Sequence, residues 1–179
     1  FEKYKKKFSY TFISEILFFK KKINFINKLN HNCRQSNLND KTKILKICRE
    51  KTSSSRFTKD HQFQKSLKKD IRETWIRNFF LGKRGSKLFI FSSRKKILGF
   101  ILIIEKKKNV IIDLIAVAQR QQNKGVGSSL VNHINNFYYK KGKKFIITGT
   151  QNYNKKAISF YKKMKFKFLK KNYYYHFHS

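Results

Sequence analysis

Proline is absent from this chain of 179 residues, glycine occurs seven times and alanine three times. Lys, Asn, Ile, Phe and Tyr abound instead. The scarce residues have G/C-rich codons and the abundant ones A/T-rich codons, so the bias reads first as that of an AT-rich genome. Only two cysteines are present, Cys33 and Cys48. They are too few for a disulfide framework and have no metal-ligand spacing, which fits free thiols in a reducing cytoplasm and no metal. Acidic residues number 9 against 44 basic ones, for a net charge of +35. Such a field attracts polyanions. The lysines are nevertheless spread along the whole chain rather than gathered in one stripe, so they read as a solvated basic surface and nucleic acid is not the expected partner. The longest apolar run, 97–104, falls far short of the roughly 20 residues of a membrane-spanning helix, so no membrane insertion is expected. The chain opens at Phe1 rather than at methionine, which points to a piece of a longer protein.

Periodicity divides the rest. Residues 1–51 read as an N-terminal extension or partial subdomain and 52–179 as the main domain. Residues 10–19 suit strand or helix equally, and Asp40 is placed to cap a short helix that runs through residue 51. From Phe63 to Phe80 apolar residues recur at helical spacing. The period then changes. Strands are expected at 87–92 and 96–105, joined by a turn at 93–95, and at 110–117. A helix follows from Gly125, ended by Gly142, and after it come a strand at 144–149, a helix at 154–164 and a last strand or hairpin at 166–177. The order α-β-β-β-α-β-α-β predicts a mixed α/β domain with helices packed on one sheet.

The turn between the strand at 110–117 and the next helix reads Gln122-Asn123-Lys124-Gly125-Val126-Gly127. A strand turning tightly into a helix leaves backbone N–H groups unpaired beside the positive end of a helix dipole, which makes a seat for a phosphate. Glycine at 125 and 127 lets the backbone approach a ligand closely. In so glycine-poor a chain, that pair indicates a backbone requirement.

This Gln-x-x-Gly-x-Gly turn, followed by Asn154-x-x-Ala157-x-x-x-Tyr161 with Phe166 behind it, resembles the GCN5-related N-acetyltransferase superfamily over about the last half of the chain. The resemblance implies a mixed, mostly antiparallel sheet flanked by helices, with acetyl-CoA as co-substrate. Shorter matches upstream and at the end, Ser55-Arg56-Phe57, Trp75-Ile76-Arg77-Asn78, Gly149-Thr150-Gln151 and Tyr174-Tyr175-His176, are similar to the branch typified by dTDP-fucosamine acetyltransferase. That branch implies an amino-sugar nucleotide as acceptor. A monomer or homodimer in the cytoplasm is expected.

By this resemblance the CoA pyrophosphate sits on Gln122, Asn123, Lys124, Gly125, Val126, Gly127 and Ser128. The pantetheine arm lies along Ile115, Ala116 and Val117, where a backbone N–H faces the thioester oxygen. Asn154 and Tyr161, two helical turns or about 10 Å apart on one face, are implied to bind the arm and to protonate the departing sulfur. Arg56 and His176 are the implied acceptor contacts. Trp75 could line the acceptor pocket and stack on a base or sugar, although its helical register with Ile71 favours a core position for the indole. Asp113, which could face either side of the sheet, is not assigned as the base. Two positions depart from the family pattern: Gln119 where proline is usual and Lys165 where glycine is usual. A protein N-terminus or a small amine is the alternative acceptor, and a nucleic-acid-binding protein with an inactive core the alternative class. Polyamine acceptors would favour an acidic pocket, which so few carboxylates do not supply.

Overall fold

The computed structural model describes residues 9–25, 32–50 and 65–178. Strand β1 is Ser9–Lys22, β2 Cys33–Gln35, β3 Lys87–Ser93, β4 Lys96–Glu105, β5 Asn109–Val117, β6 Phe145–Gln151 and β7 Lys167–His178. Helix α1 is Lys41–Glu50, α2 Lys65–Phe80, α3 Val126–Lys140 and α4 Lys155–Lys163. The strands form one seven-stranded sheet in the order β2-β3-β4-β5-β6-β1-β7. Every neighbouring pair is antiparallel except β5 and β6. Residues 10–19, which suited strand or helix, are therefore strand. This N-terminal strand lies inside the sheet, between β6 and β7.

The run Phe100-Ile101-Leu102-Ile103 is buried throughout because both faces of the sheet are covered. Leu88, Ile90, Phe100 and Leu102 join a core with Ile44, Ile47 and Ile76 of α1 and α2. Phe89, Phe91, Ile101 and Ile103 point the other way, into a core with Leu130, Val131 and Ile134 of α3. Strand alternation thus sorts one apolar run into two cores.

Asp40 departs from its expected role as a helix cap. It closes a short turn ahead of α1, where its carboxylate accepts two bonds from Arg34, at 2.7 and 2.9 Å, and one from the Asn37 N–H. The Arg34 hydrogen bonds are the main reason its pKa lies below the ordinary carboxylate value.

The element that positions the site is β5. Its register against β4 slips between Leu102↔Leu114 and Ile103↔Ile112, which leaves Asp113 as an extra residue, a β-bulge. Before the bulge Val110 and Ile112 face the α3 core. After it, Leu114 and Ala116 face the α1–α2 core, while Ile115 and Val117 turn to the α3 side. One inserted residue has exchanged the two faces of the strand. The bulge also bends the strand, and the parallel pairing of β5 with β6 stops at Ile112↔Thr148.

Candidate active site

Beyond that point the sheet opens. Residues 114–117 stay paired to β4, while Gly149, Thr150 and Gln151 stay paired to Phe18, Leu17 and Ile16 of β1. A cavity of about 560 Å³ fills the gap, walled by Leu114, Ile115 and Ala116 on one side and Thr148, Gly149 and Thr150 on the other. Asn154 at the N-cap of α4 and Ala157 and Tyr161 within it line the cavity, and so do Ile71, Arg72 and Trp75 of α2. α4 packs with the α3 core and α2 with the opposite one. The opening therefore runs between the strands from one face of the sheet to the other.

Hydrogen-bond parity shows which backbone groups face it. The Ala118 N–H bonds the Leu98 carbonyl at 2.9 Å, so this directly opposed pair is of the hydrogen-bonded kind. Its neighbours alternate, which aims the N–H groups of Val117 and Ile115 away from β4 and toward the gap. The Val117 carbonyl on that side lies 3.5 Å from Gln122 Nε2.

Strand β5 leads out of the gap into the turn and α3. Gly125, with φ of +81°, is the N-cap of α3; no side chain caps this end and no acidic residue lies in the first turn. The Ser129 N–H makes the bond to the Gly125 carbonyl, which leaves Val126, Gly127 and Ser128 without intrahelical acceptors. Gln122, Asn123 and Lys124 are exposed around them. At Gly127 a Cβ would lie 3.3 Å from the Phe160 ring, so glycine there lets α3 close down on α4.

Tyr161 is buried at 4% exposure, between the rings of Phe19, Phe160 and Phe166. Desolvation raises the pKa of its phenol. The nearby Thr148 hydroxyl offsets part of this rise, although Thr148 Oγ1 is buried without a hydrogen bond of good geometry. Tyr161 is thus protonated at neutral pH. Asn154 caps α4, its side-chain oxygen accepting from the Ala157 N–H at 3.2 Å. That use leaves its amide nitrogen for other work.

The expected site residues separate into groups. Ile115, Ala116, Asn154 and Tyr161 share the cavity, and residues 122–128 stand at the end of β5 rather than in the cavity wall. Arg56 lies outside the described residues. His176 sits opposite Thr11 in β1, two positions beyond Tyr174; its side chain is outside the described set, whereas Tyr174 lines the cavity. Trp75 lines the cavity, the pocket position rather than the core position that its helical register favoured.

Sequence reasoning missed one cluster. Arg84 stacks on Trp75, with its guanidinium carbon 4.2 Å from the ring centroid. It also donates to both oxygens of Asp113, Nε to Oδ2 at 2.7 Å and Nη2 to Oδ1 at 2.8 Å. All three residues line the cavity. Arg84 carried no motif, and its partner sits on a bulge that alternation cannot reveal.

The profile of the acetyltransferase (GNAT) family matches residues 47–166, and the chain belongs to that family. It is similar to the spore coat polysaccharide biosynthesis protein SpsD of Bacillus subtilis strain 168, 23% identical over 137 residues, which are 76% of this chain and 47% of that protein. The chain thus spans about half the length of this curated relative. Among solved structures, a conserved protein of unknown function from Staphylococcus epidermidis ATCC 12228 superposes with a TM-score of 0.66 at 12% identity, covering 97% of this chain and 64% of that one. The PaiA N-acetyltransferase of Thermoplasma acidophilum, solved in complex with coenzyme A, gives 0.58 at 16% identity and covers 79% and 98%. At these identities the structural likeness speaks for the fold, and membership of the acetyltransferase (GNAT) family rests on the match over residues 47–166.

Proposed function

We propose that this N-acetyltransferase moves the acetyl group of acetyl-CoA to the amine of a nucleotide-linked amino sugar, by direct attack without an acyl-enzyme. The observation that carries the reading is the gap between β5 and β6, which reaches both faces of the sheet. Two substrates entering from opposite faces would meet between the strands. The sugar acceptor is supported by the similarity to a polysaccharide biosynthesis protein and by the resemblance of the upstream and terminal motifs to an amino-sugar branch of the family.

On the α3 side, the free N–H groups of Val126, Gly127 and Ser128 would take the pyrophosphate of CoA, with Lys124 adding charge. The unpaired edge of residues 114–117 would accept the pantetheine arm as an added strand. The Asn154 amide nitrogen is free to donate to that arm without giving up its capping bond. The N–H of Val117 or Ile115 would stabilise negative charge on the thioester oxygen as the amine attacks, a contribution of roughly 3 kcal/mol for a preorganised donor. Tyr161 would then give its proton to the departing sulfur, while the amine releases its own proton to water. The 9–178 sheet works here as one unit, because Ile16 and Phe18 of β1 also line the cavity.

The test is release of the CoA thiol with a panel of nucleotide-linked amino sugars, followed as free thiol. Release that requires the sugar amine supports the proposal. Acetyl-CoA turnover with amine peptides or polyamines and none with any amino-sugar nucleotide would refute it.

A further inference from the structure

The α2 side of the cavity carries chemistry that acetyl transfer itself does not need. Its wall contains two guanidiniums, those of Arg72 and Arg84, and one carboxylate, that of Asp113. Asp113 is committed to Arg84 by the two-bond contact, so the charged groups lining this cavity sum to a positive wall.

Arg84 is held unusually well for a residue in a loop. Asp113 fixes the edge of the guanidinium through Nε and Nη2, and the Trp75 indole fixes its plane. Among the described residues nothing bonds Nη1, and the side chain keeps 30% of its surface open. An arginine on the surface loses much rotamer freedom when it grips a ligand. Here that freedom is already spent inside the protein, so binding costs less. Arg72 lies three residues before Trp75, one turn of α2 away, on the same wall. Burial pulls its pKa below the usual arginine value. The Trp75 indole beside Arg84 and the Tyr174 ring lining the same cavity offer flat faces that suit a sugar or base ring.

Building on the acceptor reading above, we propose that Arg84 and Arg72 form an anion-binding wall that selects an amine acceptor carrying phosphate or diphosphate. Trp75 and Asp113 act as positioning residues for Arg84. The planar fork of a guanidinium matches two oxygens of a phosphate at once. A polyamine, by contrast, would meet like charge on this wall.

Trp75 is the one tryptophan of the chain, so intrinsic fluorescence reads this wall directly. The experiment fills the donor site with CoA and then titrates the full chain with a nucleoside diphosphate and, separately, with inorganic pyrophosphate. A saturable change in Trp75 emission is expected, its midpoint raised roughly tenfold or more in Arg72→Gln and in Arg84→Gln. Arg84→Lys should fall between, since it keeps charge but loses the fork. No saturable change, or an unshifted midpoint in both glutamine variants, overturns the proposal. If Arg84→Gln fails to fold after releasing Asp113, Arg72→Gln still decides. The two readings separate cleanly: diphosphate binding without acetyl transfer to any amino-sugar nucleotide refutes the substrate reading alone, and transfer that ignores both substitutions refutes the wall alone.

Discussion

Tyr161 is a buried aromatic by packing and the proton donor of the proposed transfer. Its ring contacts with Phe19, Phe160 and Phe166 would suit any core tyrosine; its place in the cavity wall would not. Tyr161→Phe keeps the packing and removes the proton. Because a thiolate with a reference pKa near 8.5 leaves readily, kcat should fall roughly ten- to a hundredfold with little change in the KM for acetyl-CoA. A kcat within about twofold of the unmodified protein would remove Tyr161 from the chemistry. The cysteines give a second prediction at this scale. Burial pushes the thiols of Cys33 and Cys48 from 9.0 to about 12, so at pH 8 the thiolate fraction of each falls about a thousandfold. Both should resist a thiol-directed disulfide reagent in the native protein and react at once in denaturant. The residue types of the proposed donor site were recognisable in sequence because a loop and one helix hold them at fixed spacing. Arg84 was not, since its meaning depends on Trp75 and on Asp113, which lies 29 residues away.

At the scale of elements, the scarcity of glycine leaves a mark on the turns. The β3–β4 hairpin turns through Arg94 and Lys95 with φ of 47° and 61°, and α4 ends on Lys165 at 62°. A side chain in this left-handed region costs on the order of 1 kcal/mol. Lys165→Gly should therefore raise stability by about 0.5–1 kcal/mol, after allowing for the greater freedom of glycine in the unfolded chain. It also removes a charge that faces Lys21 and helps lower the pKa of that amine, after desolvation as the leading cause. Urea unfolding checks the sign. Asn154 offers a sharper separation of roles. Asn154→Ala should cost about 1 kcal/mol as the cap is lost, whereas Asn154→Ser keeps a capping oxygen and loses only the amide nitrogen. If that nitrogen binds the donor, the serine variant should keep its stability and show a raised KM for acetyl-CoA. Unchanged KM in both variants would reduce Asn154 to a cap.

Across the whole molecule the dominant fact is charge. With 44 basic and 9 acidic residues, each described carboxylate side chain is taken: Glu15, Asp40, Glu73 and Asp113 pair with arginine or lysine, Glu50 accepts from the Gln119 N–H and Glu105 from the Tyr138 hydroxyl. The remaining cations repel one another over the surface, which opposes the compact state. Raising the salt from about 0.02 to 0.5 M shortens the screening length to a few ångström. The thermal midpoint should climb by roughly 3–6 °C, the equivalent of about 1–2 kcal/mol in a domain of this size. A midpoint that falls with salt would mean that attractive pairs dominate instead.

The amino-acid sequence by itself determined the order of elements from α2 to β7, the glycine turn at the head of α3 and the spacing of Asn154 and Tyr161. These are local matters of periodicity and turn chemistry, complete within a few consecutive residues. Tertiary structure alone decided that β1 inserts between β6 and β7, that Asp113 is the bulge residue, and that the gap reaches both faces of the sheet. Strand order and register are relations between segments distant in the chain. A bulge exists only against the strand it fails to match, and the Arg84–Asp113–Trp75 cluster exists only because that bulge turns one carboxylate toward the far side of the site.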